Sequence, residues 1–131
     1  MLIVSILNYN GKDHLERCLE SINNSYGIEG STKIVIDNDS KDDSWKVASK
    51  YGFSVYHADN RFQFITGLNT AFSLCDSDYL LFTQADLIFN QDSISYLLKA
   101  IKQYPMSFIQ PAFYSPKGNL DNAGMNFVWP G

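Results

Sequence analysis

An α/β fold, with a mostly parallel sheet and flanking helices, is what this sequence predicts, on three observations. Short apolar runs alternate with segments whose apolar residues repeat at helical spacing. The runs end in clusters of Asn, Asp and Gly, the turn chemistry of strand-to-helix loops. The leading run, Leu2–Leu7, is nearly all apolar, as a strand covered on both faces should be.

Each element has its own warrant. Asn8-Tyr9-Asn10-Gly11 ends the first strand with turn residues. Asp13 and Glu16 have the spacing of a capping box, and Leu15, Cys18, Leu19 and Ile22 then form one stripe of a helix. Lys33–Ile36 is the second strand, ending at Asp37. Ser40 with Asp43 suggests the start of a second helix, faced by Trp45, Ala48 and Tyr51 and stopped by Gly52. Phe53–Tyr56 is a third strand. A loop over 59–65 leads to a helix carrying Leu68, Ala71, Phe72 and Cys75. Tyr79–Phe82 is a fourth strand. Asn90 or Asp92 caps a fourth helix with Ile94, Leu97, Leu98 and Ile101 inward, which Pro105 ends. Ser107–Ile109 reads as a fifth strand, and Ser115-Pro-Lys-Gly118 as the turn of a hairpin. This divides one domain, 1–131, into a core over 1–110 and a hairpin-like tail over 111–131. Strands and helices alternating at this spacing imply right-handed crossovers and a parallel sheet.

The bulk numbers bound the function. A chain of 131 residues is one domain's length. The net charge of −4 and pI of about 4.9 argue against nucleic acid as a partner, which would call for a basic stripe. They leave room for small anions, which backbone donors hold despite net acidity. The two cysteines, Cys18 and Cys75, fall on apolar helical stripes and read as core thiols. Neither a disulfide framework nor a zinc site is suggested, which favours a reducing, cytoplasmic setting. The opening stretch is short, lacks basic residues and runs into a turn, so it reads as a strand rather than a signal peptide.

Ligands of open α/β sheets bind outside the carboxyl ends of the strands. Those ends carry Asn8-Tyr9-Asn10-Gly11, Asp37-Asn38-Asp39-Ser40, Asn60-Arg61 and Gln84-Ala85-Asp86. Any one of them reads as an ordinary Asx turn or helix cap. Together they suggest an anion or nucleotide site with a divalent ion, a pattern that also suits phosphoacceptor receivers and nucleotidyltransferase-like domains. Receivers place acids after strands one and three, whereas here the acids follow strands two and four. A phosphate loop of the Gly-x-x-x-x-Gly-Lys-Ser/Thr type, a Gly-x-Gly-x-x-Gly turn and a serine nucleophile elbow are all absent from the sequence.

The order of motifs resembles family 2 glycosyltransferases of the GT-A fold, above all their rhamnosyltransferase-like branch. "IVSILNYNG", "IVIDNDSKDDS", "NRFQFITGLNTAF", "YLLFTQADLIF" and "GNLDNAGMNF" stand in the family's order and span nearly all of the chain. The resemblance implies a GT-A-type Rossmann-like sandwich. It also implies a site for a nucleotide-diphosphate sugar, whose sugar passes to an acceptor hydroxyl with inversion. Tyr9, with the backbone of Leu7 and Asn8, would lie beside base and ribose. Asp37, followed by Asn38, would accept the base's ring N–H. Arg61 stands near where some members turn a basic residue toward the diphosphate, and Gly67 and Asn69 match positions that pass close to the donor. Asp86 matches the last acid of the metal motif and would share Mg²⁺ or Mn²⁺ with the diphosphate. Gln84 takes the place of that motif's first acid.

The family's general base, an acid in a later segment, has no counterpart here: beyond residue 86 the sequence holds no Glu-Asp pair. The chain therefore reads as the donor-binding part of a glycosyltransferase, with its sheet cut short at the C-terminus. The alternative is a non-catalytic module that binds a nucleotide or a sugar. An uncovered sheet edge would favour a homo-oligomer. The acceptor implied by the family is a saccharide or a lipid-linked one, which brings peripheral membrane association and polysaccharide biosynthesis with it.

Overall fold

At the centre of the sheet lies β1, Leu2–Asn8, whose side chains from Leu2 to Ile6 are all buried. A computed structural model describes residues 1–58 and 64–122 of the protein. In chain order it contains β1, α1 (Leu15–Asn23), β2 (Thr32–Asp37), a 3₁₀ helix (Ser44–Tyr51), β3 (Ser54–His57), α2 (Phe64–Ser73), β4 (Tyr79–Gln84), α3 (Ser93–Gln103), β5 (Phe113–Tyr114) and β6 (Leu120–Asn122). The first four strands form one sheet in the order β3-β2-β1-β4, every neighbouring pair parallel.

Alternation along β1 divides the core in two. Leu2, Val4 and Ile6 pack with Leu15, Cys18, Leu19 and Ile22 of α1, with Ala48 of the 3₁₀ helix and with Ile94 of α3. Leu7 belongs to the opposite face, where Ile36, Ala58 and Ala71 form a smaller cluster under α2. Burial of these branched chains contributes about 1.5–3 kcal/mol each. Helices on both faces explain why the central strand is apolar at nearly every position.

Several local expectations give way to competing contacts. The capping box does not form. The Gly11 carbonyl instead accepts the amides of His14 and Leu15, and Glu16 accepts the Tyr51 hydroxyl at 3.1 Å. The second helix is a 3₁₀ helix and starts only at Ser44, because Ser40 is drawn to Asn8 and Asn10 and Asp43 stands in the left-handed region at φ 58°. Of the third helical stripe, Ala71 is buried but Phe72 is exposed, and Cys75 lies beyond the end of α2. No strand forms over 107–109. Met106 turns the chain at φ 59°, and Met106 and Phe108 are left almost fully exposed. Within the described part of the tail, β5 and β6 pair antiparallel across a turn closed by Gly118 N–H to the Ser115 carbonyl, and the rest of the expected tail, 123–131, lies outside the described residues. No helix among the described residues is long and apolar enough to cross a membrane.

The carboxyl end of the sheet is fixed by a polar row. Asn8, Asp37 and His57 stand in register across β1, β2 and β3. Asn8 is wholly buried, and its amide donates to Asp37 Oδ1 at 2.8 Å, Ser44 Oγ at 2.8 Å and Ser40 Oγ at 3.2 Å. A buried carboxylate is tolerable only with such donors. Asn8→Ala therefore leaves Asp37 Oδ1 and two hydroxyls short of a donor. The expected loss is about 2–3 kcal/mol, since an orphaned buried acceptor costs more when it is charged. It would be read as a lowered urea midpoint, and an unchanged midpoint would show that the row carries no stability.

Cys18 gives a second test. Its thiol is fully buried, 3.7 Å from the Gln84 carbonyl. Burial, and after it the negative charge of Asp86, pushes its pKa up to about 12. Since the thiolate is the reactive species, native protein at about pH 8 should alkylate at half-buried Cys75 first. Denatured protein should label at both. Equal native rates at the two cysteines would contradict this packing. A thiol raised in the folded state favours folding below its unfolded value, and that support fades as pH climbs from 9.0 toward 12.

Candidate functional site

The strand order reverses beside β1: β2 and β3 lie on one side and β4 on the other. Such a switch point opens a crevice at the carboxyl ends of the two diverging strands. One wall is the loop after β1, where Tyr9 is exposed and Asn10 adopts φ 49°. The other is the loop after β4, with Gln84 and Asp86 exposed and Ala85 buried between them. The Ala85 amide donates to the Leu7 carbonyl at 3.1 Å and ties the second wall to the end of β1. A Cβ on Gly11 would meet Asn8 Oδ1 at 2.2 Å and Ala85 Cβ at 3.3 Å, so the loops approach this closely only over a glycine.

The loop after β2 is laced to the first wall. Asn10 N–H donates to Ser40 Oγ at 2.9 Å, and Lys41 N–H returns a bond to Asn10 Oδ1 at 2.8 Å. Lys12 N–H and Ser44 N–H donate to the two oxygens of Asp42 at 2.9 and 3.0 Å. Desolvation alone would raise the Asp42 carboxyl; the bonds from Ser44 and Lys12 outweigh it and hold it below the usual value. Asp39 pairs with Lys41 at 2.7 Å and Asp43 with Lys46 at 2.9 Å. Most of this acidic loop is thus bound up in its own structure.

The sequence-derived residues fall into three groups. Leu7, Asn8, Tyr9, Asp37, Asn38 and Asp86 gather at the carboxyl end of the sheet, on both sides of the switch point. Asn8 and Asp37 are buried in the polar row, and Asn38 is buried with its Oδ1 lacking a partner among the described residues. Gly67 and Asn69 lie on α2. Gly67 packs on Leu7, whose Cδ1 would stand 2.5 Å from an added Cβ, and Asn69 is exposed. Arg61 lies outside the described residues. Sequence reasoning passed over His57, which holds the third place in the row: its Nδ1 is 3.5 Å from Asp37 Oδ2, and Trp45 meets its ring edge-on with centroids 4.8 Å apart. The signal available was its position at the end of β3, in line with Asp37.

No three of His, Cys, Asp and Glu come together as a metal cage among the described residues. Asp86 instead offers one exposed carboxylate beside the exposed Gln84 amide. Oxygen donors on an open rim fit a hard cation that draws its remaining ligands from phosphate and water.

Solved structures share this fold. TarS from S. aureus superposes with a TM-score of 0.68 at 18% identity, over 78% of this chain and 19% of TarS. TarS 1–349 in complex with UDP-GlcNAc gives 0.68 at 17% identity, over 79% of this chain and 31% of that one. The mannosyltransferase PcManGT from Pyrobaculum calidifontis, in complex with GDP-Man and Mn²⁺, gives 0.69 at 19% identity, over 76% and 32%. The chain thus spans between about a fifth and a third of the length of these proteins. No curated protein matches it in sequence. The family model described as "Glycosyl transferase family 2" matches residues 3–129, nearly the whole chain, and the protein therefore belongs to glycosyl transferase family 2.

Proposed function

We propose that this chain binds a nucleotide-diphosphate sugar at the switch point, as the donor part of a metal-dependent, inverting glycosyltransferase. One observation carries the reading: Asp37 and Asp86 stand on opposite sides of β1, at the crevice where open α/β sheets take ligands. The relatives in fold support it, since TarS is solved with UDP-GlcNAc and PcManGT with GDP-Man and Mn²⁺.

Each residue then has a task. Tyr9, exposed at the end of β1, offers an aromatic surface to base and ribose. Asp37 marks the base end of the site. Asn38 stands beside it, with its carbonyl oxygen buried and without a donor among the described residues. Gly67 lets α2 close on Leu7, and Asn69, two residues further along the same helix, is exposed. Arg61 would face the diphosphate. Asp86, with Gln84, would hold Mg²⁺ or Mn²⁺, which neutralises charge on the leaving diphosphate. Transfer also requires a general base to take the acceptor's proton, and none of these residues is assigned that role.

A thermal-shift titration tests the site. UDP, dTDP and GDP would each be added with and without Mn²⁺ or Mg²⁺. One of them at a hundred times its Kd should stabilise the protein by about 2.7 kcal/mol, in a metal-dependent way. Asp86→Ala should abolish the metal-dependent part. If no nucleotide shifts the melt with metal present, the donor-site reading falls.

A further inference from the structure

Asp37 is poorly placed to meet a ligand itself. Its side chain keeps only 2% of its surface exposed, and its oxygens are taken from within by Asn8 Nδ2 and by Ser40 N–H at 3.1 Å. The outward end of the row is His57, with a side chain 57% exposed. Asp37 is the charged group that faces it from β2. From the 3₁₀ helix it faces Trp45, a ring that Lys46 Nζ also approaches at 5.7 Å, and Lys46 is itself paired with Asp43. A carboxylate beside Nδ1 favours the tautomer with its proton there, which leaves the Nε2 lone pair free. The edge-on Trp45 helps to hold the ring in that orientation.

We infer that His57, oriented by Asp37, reads the nucleobase edge through Nε2; the inference rests on the donor-site reading above. A neutral imidazole that accepts at Nε2 suits bases with a ring N–H at the pairing edge: uracil, thymine and guanine. Cytosine and adenine place a ring acceptor there, so two lone pairs would oppose each other. Asp37 is then a positioning residue, and its buried partners on β1 and β2 keep it in place.

Titration calorimetry with Mn²⁺ held constant would compare UDP with CDP and GDP with ADP. The wild type should favour UDP or GDP over its counterpart by about tenfold, as a matched hydrogen bond is worth that much. His57→Ala should bind both members of a pair alike. His57→Gln should still bind and show no preference, because an amide can turn either end to the base. Asp37→Asn should weaken the preference. A His57→Ala protein that keeps the wild-type preference would overturn the inference, as would a wild type that binds both members equally. A wild type that binds none of the four overturns the donor-site reading, and the inference with it.

Discussion

The Asn8 amide is the contact on which the carboxyl end of this sheet depends. It has two hydrogens and serves three acceptors: the Asp37 carboxylate and the hydroxyls of Ser40 and Ser44. It thereby joins the last residue of β1 to the last residue of β2, to the loop beyond it and to the first turn of the 3₁₀ helix. An apolar residue here would leave a buried charge without a donor, and a carboxylate would set two like charges side by side. Asn supplies donors without adding charge. The same choice fixes Ser40, and through Ser40 the backbone of Asn10 in the loop above it.

That constraint gives the site its rigidity. Loops at a switch point are exposed and would be costly to order on ligand binding. Here the loop after β1 is bonded to the loop after β2, and the Leu7 carbonyl of β1 holds the loop after β4. Gly11 permits the closest of these approaches and Gly67 permits another beneath it. Hydrogen bonds within the protein itself hold both walls, so little ordering is left for binding to supply.

The architecture was legible in the sequence because its signals are redundant. Four apolar runs alternate with amphipathic segments, and turn residues follow each run. Where one local signal stood alone, tertiary contacts overrode it. Asp13 and Glu16 have capping spacing, but the Gly11 carbonyl and the Tyr51 hydroxyl claim their roles. Ser40 looked like a helix start until Asn8 and Asn10 drew on its hydroxyl. Ser107–Ile109 has strand composition, yet pairing needs a partner edge, and the turn at Met106 leads it away as exposed chain. His57 was illegible for a related reason. A histidine at a strand end says nothing by itself; its meaning comes from the register that sets it beside Asp37.

The charge balance of the rim also bears on how an acidic chain could hold an anionic ligand. With a net charge of −4, the protein offers no general attraction to a diphosphate. The acids of the loop after β2 are largely answered: Asp39 by Lys41, Asp42 by two backbone amides, Asp43 by Lys46 and Asp37 by Asn8 and Ser40. Asp86 has no hydrogen bond or ion pair to any described residue, and its charge is felt as far as the Cys18 thiol. A diphosphate approaching Asp86 would meet repulsion, whereas a cation would meet attraction. Among the described residues Asp86 thus leaves an exposed negative charge on the β4 side of the switch point, where the sign of the field draws a cation rather than an anion.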